Sequence, residues 1–389
     1  VGLQTFEISI DFVRTEMAEH EPLSQDTAQN IAQDIIERIS RILSFYPVGS
    51  LKKAEPAPGG VMNENWFVET DTGKYFLRCR SLFFSPNSID FELKLIEYLS
   101  NLGFPTPKLI HTLEGALKVQ AEDRCWELYE YLPGELFSVS NLAQTKNAAK
   151  LLARFHIATA GYQGRANGVP YRRFDLGSVA GVIDQLKEQV SYELKTSTLG
   201  TMLEPGIIGF IEGQVEAVIN GIQPLSGSLL TVIHGDYQPS NVIFKGNEAI
   251  AVIDFGNAAL SYRSYDVARA ILGFSALRPD YRSQRDLNPW LDMNRVKAFF
   301  RAYQAEMPIS EAGIQAMPAL IRGTYLFGIS FYMRIEGDLT KKAAFLINAL
   351  SFIRWLDSTE AELKEILLQE AQSIREKAKG DQNLPQPKS

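Results

Sequence analysis

The chain has 389 residues, 45% hydrophobic and 22% charged, with a formal net charge of -7. That balance excludes a wholly disordered, collagenous or coiled-coil protein, and the acidic excess argues against broad nucleic-acid binding. Two cysteines, Cys79 and Cys125, fit a reducing cytoplasm better than a disulfide scaffold, and no apolar run reaches the ~18 residues a membrane span needs.

The N-terminus, Val1-Gly2-Leu3 with Glu7 and Asp11 close behind, lacks the basic stretch of a signal peptide. Between Asp26 and Tyr46, Ile31, Ile35, Ile39, Ile42 and Leu43 recur near the helical period, and Pro47 stops the helix they predict. From Val48 to Arg80 the pattern is that of strands, with Asp71-Thr72-Gly73 as a turn between Trp66–Val68 and Lys74–Arg80. A helix follows over Ser88–Leu102, closed by Gly103 and Pro105. Short strands are predicted at Lys108–Thr112, Ala116–Ala121 and Cys125–Tyr131, which makes a five-stranded antiparallel sheet with one inserted helix. Pro133-Gly134 reads as a linker. Beyond it helices are predicted over Ser140–Ala160, Gly177–Lys195, Gly206–Gly221, Asn294–Met307, Ile314–Arg334 and Lys341–Lys379. Leu229–Ile233 and Ala249–Ile253 are too short for helices and read as strands paired with each other. The expected organisation is α+β and bilobal: a small antiparallel-sheet N-terminal lobe over residues 1–133 and a larger, mainly helical C-terminal lobe over 134–389. The tail from Gly380 is polar and reads as frayed.

The segment richest in chemistry is His234-Gly235-Asp236-Tyr237-Gln238-Pro239-Ser240-Asn241. An Asp followed five positions later by Asn, with His two before the Asp, has the spacing of a kinase catalytic loop. Phosphoryl transfer needs a carboxylate beside the attacking hydroxyl and an amide oxygen to help hold magnesium on the nucleotide phosphates. A polar turn between two elements would look similar. The second segment, Ala251-Val252-Ile253-Asp254-Phe255-Gly256, ends an apolar strand in an Asp eighteen residues after Asp236. That order matches a kinase catalytic loop followed by its metal-binding Asp-Phe-Gly element.

With these two motifs the chain resembles the superfamily of aminoglycoside phosphotransferases, choline kinases and type II homoserine kinases, which has a protein-kinase-like fold. The resemblance runs from about Val48 to Ala270. It implies ATP and Mg2+ as cofactors, Asp236 as the catalytic carboxylate, and Asn241 and Asp254 as metal ligands. Ser264-Tyr265-Asp266-Val267-Ala268 is similar to a downstream element whose Asp supports the catalytic loop, so Asp266 and His234 are expected in structural roles. Gly59-Gly60, with Asn65 in the strand after it, resembles the hairpin that covers the nucleotide, although a plain hairpin turn fits as well. Arg78 matches the phosphate-binding cation of the next strand. Arg80 lies on the same face, two residues on, and Glu92 resembles the acid that pairs with that cation. Glu130-Tyr131-Leu132 resembles the hinge that meets adenine through its backbone, and His156 sits in a helix motif read as structural.

The resemblance implies an ATP-dependent phosphotransferase acting on a small-molecule hydroxyl: an amino alcohol, amino acid, sugar or aminoglycoside. The helices over about 288–368 are expected to bind this acceptor. In that region Trp290, Tyr325, Phe331, Tyr332 and Trp355 would either line a pocket or pack as core, and Arg322 and Arg334 would either read a carboxylate or be solvated. A protein kinase is disfavoured because Gly235 replaces the Arg of His-Arg-Asp and no Ala-Pro-Glu follows Asp254. The remaining alternative is a non-catalytic nucleotide-binding regulator with a kinase-like fold. Neither a nucleic-acid nor a membrane partner is expected.

Overall fold

A computed structural model describes residues 25–57, 63–82, 84–162, 188, 191–192, 206–277 and 290–382. The chain packs as two compact units that divide between Pro133 and Gly134.

In the first unit, α1 (Gln25–Leu43) places Ile36, Ile39, Ile42 and Leu43 on one buried stripe. Their spacing of three and four follows the helical period, so a single face carries the apolar surface. That stripe shares one core with Leu51, Val68, Leu77, Trp126 and Leu128 of the sheet. The sheet is antiparallel, with β1 (Leu51–Pro56), β2 (Glu64–Thr70), β3 (Lys74–Cys79), β4 (Val119–Ala121) and β5 (Arg124–Glu130) in the order β1-β2-β3-β5-β4. Trp66 pairs with Leu77 across the β2–β3 hairpin, and the Thr70 N–H closes its turn on the Gly73 carbonyl at 2.8 Å. Helix α2 (Pro86–Asn101) starts with Pro86 in its first turn, and the Ser85 hydroxyl caps the Ser88 N–H. It buries Ile89, Phe91, Leu95 and Leu99, and with them the carboxylate of Glu92.

Two expected strands shrink. Lys108–Thr112 survives as a single bridge from Leu109 to Tyr129, and only Val119–Ala121 of the second pairs. Pro105 and Pro107 supply no N–H to a ladder, and residues 112–116 fold into a turn in which the Ala116 N–H bonds Thr112.

The second unit opens on Gly134, where a Cβ would lie 2.2 Å from Ile243 Cγ2. The next residue, Glu135, exchanges two backbone bonds with Phe244. So the Pro133-Gly134 step is followed at once by a strand-like tether. Helix α3 (Leu142–Thr159) is capped by the Asn141 side chain on two N–H groups. Then come α4 (Ile207–Ile222), β6 (Thr231–Ile233), β7 (Val242–Lys245), β8 (Glu248–Val252), β9 (Ala259–Ser261), α5 (Arg263–Ser275), α6 (Met293–Glu306), α7 (Glu311–Gln315), α8 (Met317–Ile335) and α9 (Leu339–Gln382).

The expected pairing of Leu229–Ile233 with Ala249–Ile253 is wrong. β6 pairs with β9, and β8 pairs with β7 through the Gly246-Asn247 turn. β7 follows the catalytic-loop segment directly, so its four residues were hidden behind that loop's polar signal. The single helix expected over Ile314–Arg334 is two helices. Pro318 belongs to the first turn of α8, where its missing N–H costs nothing, and the preceding helix ends before it. The helix expected over Gly177–Lys195 falls almost wholly outside the described residues. No described helix is long and apolar enough to cross a membrane.

Candidate active site

The second unit builds its site on a buried carboxylate. Asp266, in the first turn of α5, is fully buried and accepts the backbone N–H of His234 at 2.6 Å and of Gly235 at 2.8 Å. Its second neighbour is His156 of α3, whose Nε2 is 3.1 Å from Asp266 Oδ2 while Nδ1 meets the Tyr303 hydroxyl at 2.8 Å. Burial holds the His156 imidazole below its ordinary pKa, although its hydrogen bond to Asp266 pulls the other way. The neutral ring therefore donates from Nε2 to Asp266 and accepts at Nδ1 from Tyr303. Three helices are pinned to one loop by this chain of bonds.

The loop itself is dictated by Gly235. Its φ is +78°, and a Cβ there would lie 2.1 Å from the Asn257 carbonyl oxygen, so no other residue fits. His234 is buried and donates Nε2–H to the Ile253 carbonyl at 3.0 Å, while its Nδ1 faces the Asp236 N–H at 3.3 Å. It thus ties the loop to the residue before Asp254. The Ile253 N–H in turn bonds the Asn241 carbonyl at 3.0 Å. The two sequence motifs are stitched together by their backbones.

Asp236 is half-buried, and both carboxylate oxygens are engaged. Oδ1 receives Arg269 Nε at 3.0 Å, and Oδ2 receives Gln238 Nε2 at 2.9 Å. Arg269 also bonds Gln238 Oε1, closing a three-residue ring. Asn241 donates its amide N–H to the Asp236 carbonyl at 2.9 Å and lies 3.3 Å from Oδ2. With its NH2 so committed, the Asn241 amide oxygen is the end presented as an acceptor. Asp254 lies in the left-handed region at φ +64°, ψ +66°. That backbone costs about 1–3 kcal/mol for a residue with a Cβ. Asn241 and Asp254 each carry a hard oxygen donor, the type that could hold Mg2+ or Ca2+ together with phosphate oxygens.

In the first unit, β3 and the residue just after it present Arg78 and Arg80 to Glu92 of α2. Arg80 NH1 is 2.8 Å from Glu92 Oε2, and its Nε bonds Glu127 Oε1 at 2.7 Å. Arg78 NH1 is farther from Glu92, at 3.8 Å, and its Nε bonds Asn65 Oδ1 at 3.2 Å. The expected partnership of Arg78 with Glu92 is therefore secondary to that of Arg80. The Arg80 side chain is 1% exposed, against 10% for Arg78. Burial alone would lower the Arg80 pKa, but Glu92 and Glu127 outweigh it and hold it above its usual value. Burial raises the Glu92 carboxyl, against the pull of Arg80. Glu127 also accepts the Tyr129 hydroxyl at 2.7 Å. At the end of β5, the Glu130 N–H is taken by the Lys108 carbonyl, and the Leu132 N–H and C=O bond no described residue. Gly59 and Gly60 lie outside the described residues.

Sequence reading missed Arg269, Gln238 and Glu127. Arg269 stands three residues after Asp266, a spacing that shares a face only once the segment is known to be helical, and nothing local points it at Asp236. Glu127 carried the signal of an acid inside an otherwise apolar strand. The aromatic set and Arg322 are also resolved. Tyr325 stacks on Phe352 at 3.9 Å between ring centres, and Trp290 and Trp355 meet the same ring. Arg322 is buried and paired with Asp357 at 2.6 Å and Glu360 at 2.9 Å, so it is neither solvated nor open to a carboxylate.

Residues 53–312 match the family model of the APH phosphotransferase enzyme family. A homoserine kinase of Caulobacter vibrioides is 27% identical over 288 residues, which are 74% of this chain and 83% of that protein. Among solved structures, an aminoglycoside phosphotransferase from Alicyclobacillus acidocaldarius superposes with a TM-score of 0.59 at 15% identity, covering 90% of this chain and 98% of its own. An amicoumacin kinase solved with AMP-PNP and Ca2+ has the same TM-score at 15% identity, with 88% and 96% covered. These two show the fold, which is protein-kinase-like. The chain belongs to the APH phosphotransferase enzyme family. Within it, the chain is a small-molecule kinase, an ATP-dependent phosphotransferase with a hydroxyl acceptor.

Proposed function

We propose that Asp236 is the catalytic carboxylate of this kinase and that Asn241 and Asp254 hold Mg2+ on the nucleotide phosphates. The observation that carries this reading is the Asp266-anchored loop. It sets Asp236 and Asn241 in hydrogen-bond contact and ties both to the residue preceding Asp254. In transfer, the acceptor oxygen bonds the γ-phosphorus, the bond to the β–γ bridging oxygen breaks, and the hydroxyl proton passes to the Asp236 carboxylate. Bound Mg2+ would neutralise the phosphate charge that builds on the leaving oxygens. In the first unit, Arg78 is the cation for the phosphates, supported by Asn65, while Arg80 and Glu127 fix Glu92. The Leu132 backbone, which no described residue bonds, suits an adenine edge beside Glu130, and Gly59 and Gly60 are assigned to the phosphates. The reading divides the chain into a nucleotide-covering lobe, 1–133, and a catalytic and acceptor-binding lobe, 134–389.

The acceptors to try first are hydroxylated amino acids and amino alcohols, because the Caulobacter vibrioides relative is a homoserine kinase. Two buried free thiols suit a cytoplasmic setting. The decisive comparison is Asp236→Asn against Asp254→Asn. Asp236→Asn keeps size and loses charge, so turnover falls by about 10²–10⁴-fold while Mg-ATP still binds. Asp254→Asn removes an anionic metal ligand, so Mg2+ and nucleotide affinity fall together with turnover. Loss of Mg-ATP binding in the first variant and its retention in the second would reverse the two roles.

A further inference from the structure

The ring of Asp236, Arg269 and Gln238 places a fixed cation at the reacting end of the site. Arg269 uses Nε and NH2 on Asp236 and NH2 again on Gln238. Its remaining nitrogen, NH1, makes no hydrogen bond with any described residue, and the side chain keeps 18% of its surface exposed. The guanidinium is thus held on one edge, and no described residue bonds the other. An Arg held this way has already lost its rotamer freedom, and its planar fork matches a carboxylate. The ring also has an electrostatic consequence for the acceptor. Arg269 lies 2.9 Å from Asp236 and compensates its charge, so this carboxylate offers an ammonium group little net attraction. A hydroxyl compound seated against Asp236 would lie beside the guanidinium that pairs with that carboxylate at 2.9 Å.

We infer that Arg269 is a specificity-determining residue that reads an anionic group on the acceptor. The favoured class is a hydroxyl compound carrying its own carboxylate, rather than an amino alcohol or a polycation. The inference rests on the kinase reading of Asp236 and narrows its acceptor.

The test uses matched pairs that differ only by a carboxylate: L-homoserine with 3-aminopropan-1-ol, and L-serine with ethanolamine. Kanamycin is added as a polycation. ADP release is measured for the full chain and for Arg269→Gln and Arg269→Lys, with circular dichroism confirming that each variant folds. In the unsubstituted protein the best acid should exceed its carboxylate-free partner in kcat/KM by about 10- to 100-fold, the worth of one charge-assisted pair. Arg269→Gln should bring that ratio near one with the ATP KM unchanged, and Arg269→Lys should restore part of it. The inference is overturned if the amino alcohol or kanamycin is the better substrate. It is equally overturned if Arg269→Gln lowers turnover of both pair members alike, which would leave Arg269 only a support for Asp236. If no acceptor of any class stimulates ADP release, the kinase assignment of Asp236 itself fails, and the inference with it.

Discussion

Two arginines two residues apart on one strand have different jobs, and burial tells them apart. Arg80 sits between two carboxylates that are themselves 3% and 0% exposed. Removing it strands both acids, which costs on the order of 3–5 kcal/mol. Arg80→Ala should therefore appear mainly as a loss of stability in thermal or urea unfolding. Arg78 is less enclosed and only loosely tied to Glu92, so Arg78→Ala should leave the fold intact and raise the ATP KM by about 10- to 100-fold. An unchanged KM would transfer the phosphate role to Arg80. His156 yields a pH prediction. Its folded-state pKa lies below the ordinary value of about 6.5, mainly because of burial. As pH falls below about 6.5 the unfolded chain takes up a proton that the folded chain refuses. The stability linked to this group is complete above that pH and drains away below it, at up to about 1.4 kcal/mol per pH unit. Melting curves from pH 7.5 to 5 should show that slope. His156→Gln should be less stable throughout yet flatter with pH. An equal slope in both proteins would remove His156 as its source.

At the scale of elements, α5 is the scaffold of the site. Asp266, Arg269 and Gly273 recur at the helical spacing and form one face along the catalytic loop: Asp266 holds its backbone, Arg269 holds its acid, and Gly273 lets Pro239 approach. A Cβ on Gly273 would lie 2.8 Å from Pro239 Cδ and 3.4 Å from Gln238 Cβ. In an open helix, Gly→Ala gains about 1 kcal/mol. Here the collision opposes that gain, since overpacking costs about 1–3 kcal/mol. Gly273→Ala should thus change stability little while moving Gln238 and lowering kcat, with the ATP KM near that of the unsubstituted protein. A variant as active as its parent, and more stable, would mean the loop yields freely. The same helix explains why its neighbours in sequence read so differently. Ala268 and Ala270 are fully buried small residues on the faces turned to other elements.

For the whole molecule, nucleotide binding and stability are linked. A ligand at a hundred times its dissociation constant stabilises the folded state by about 2.7 kcal/mol. If Asn241 and Asp254 hold Mg2+ as proposed, ATP with Mg2+ should raise the melting temperature more than ATP with EDTA, which removes the ion that would join them to the phosphates. Equal shifts with and without the metal would refute the metal role of these two residues. Asp254→Asn should abolish the difference between the two conditions.

The sequence by itself determined the sheet with its inserted helix and the helical character of the second unit, and it singled out Asp236, Asn241 and Asp254 as the candidate residues. These are local signals. Alternating apolar residues around Asp71-Thr72-Gly73 specify a hairpin whatever lies elsewhere, and two polar residues five apart on one loop carry their chemistry in their spacing. Only the tertiary structure decided which strands pair around the loop, because β6 and β9 are too short for periodicity to choose a partner. It alone gave Glu92 first to Arg80 rather than Arg78, since strand alternation puts both arginines on one face and cannot rank their distances. It alone brought Arg269 onto Asp236, a contact spanning 33 residues that no local pattern records. And it placed Arg322 among acids of α9, because burial of a long side chain depends on what packs against it and not on its neighbours in sequence.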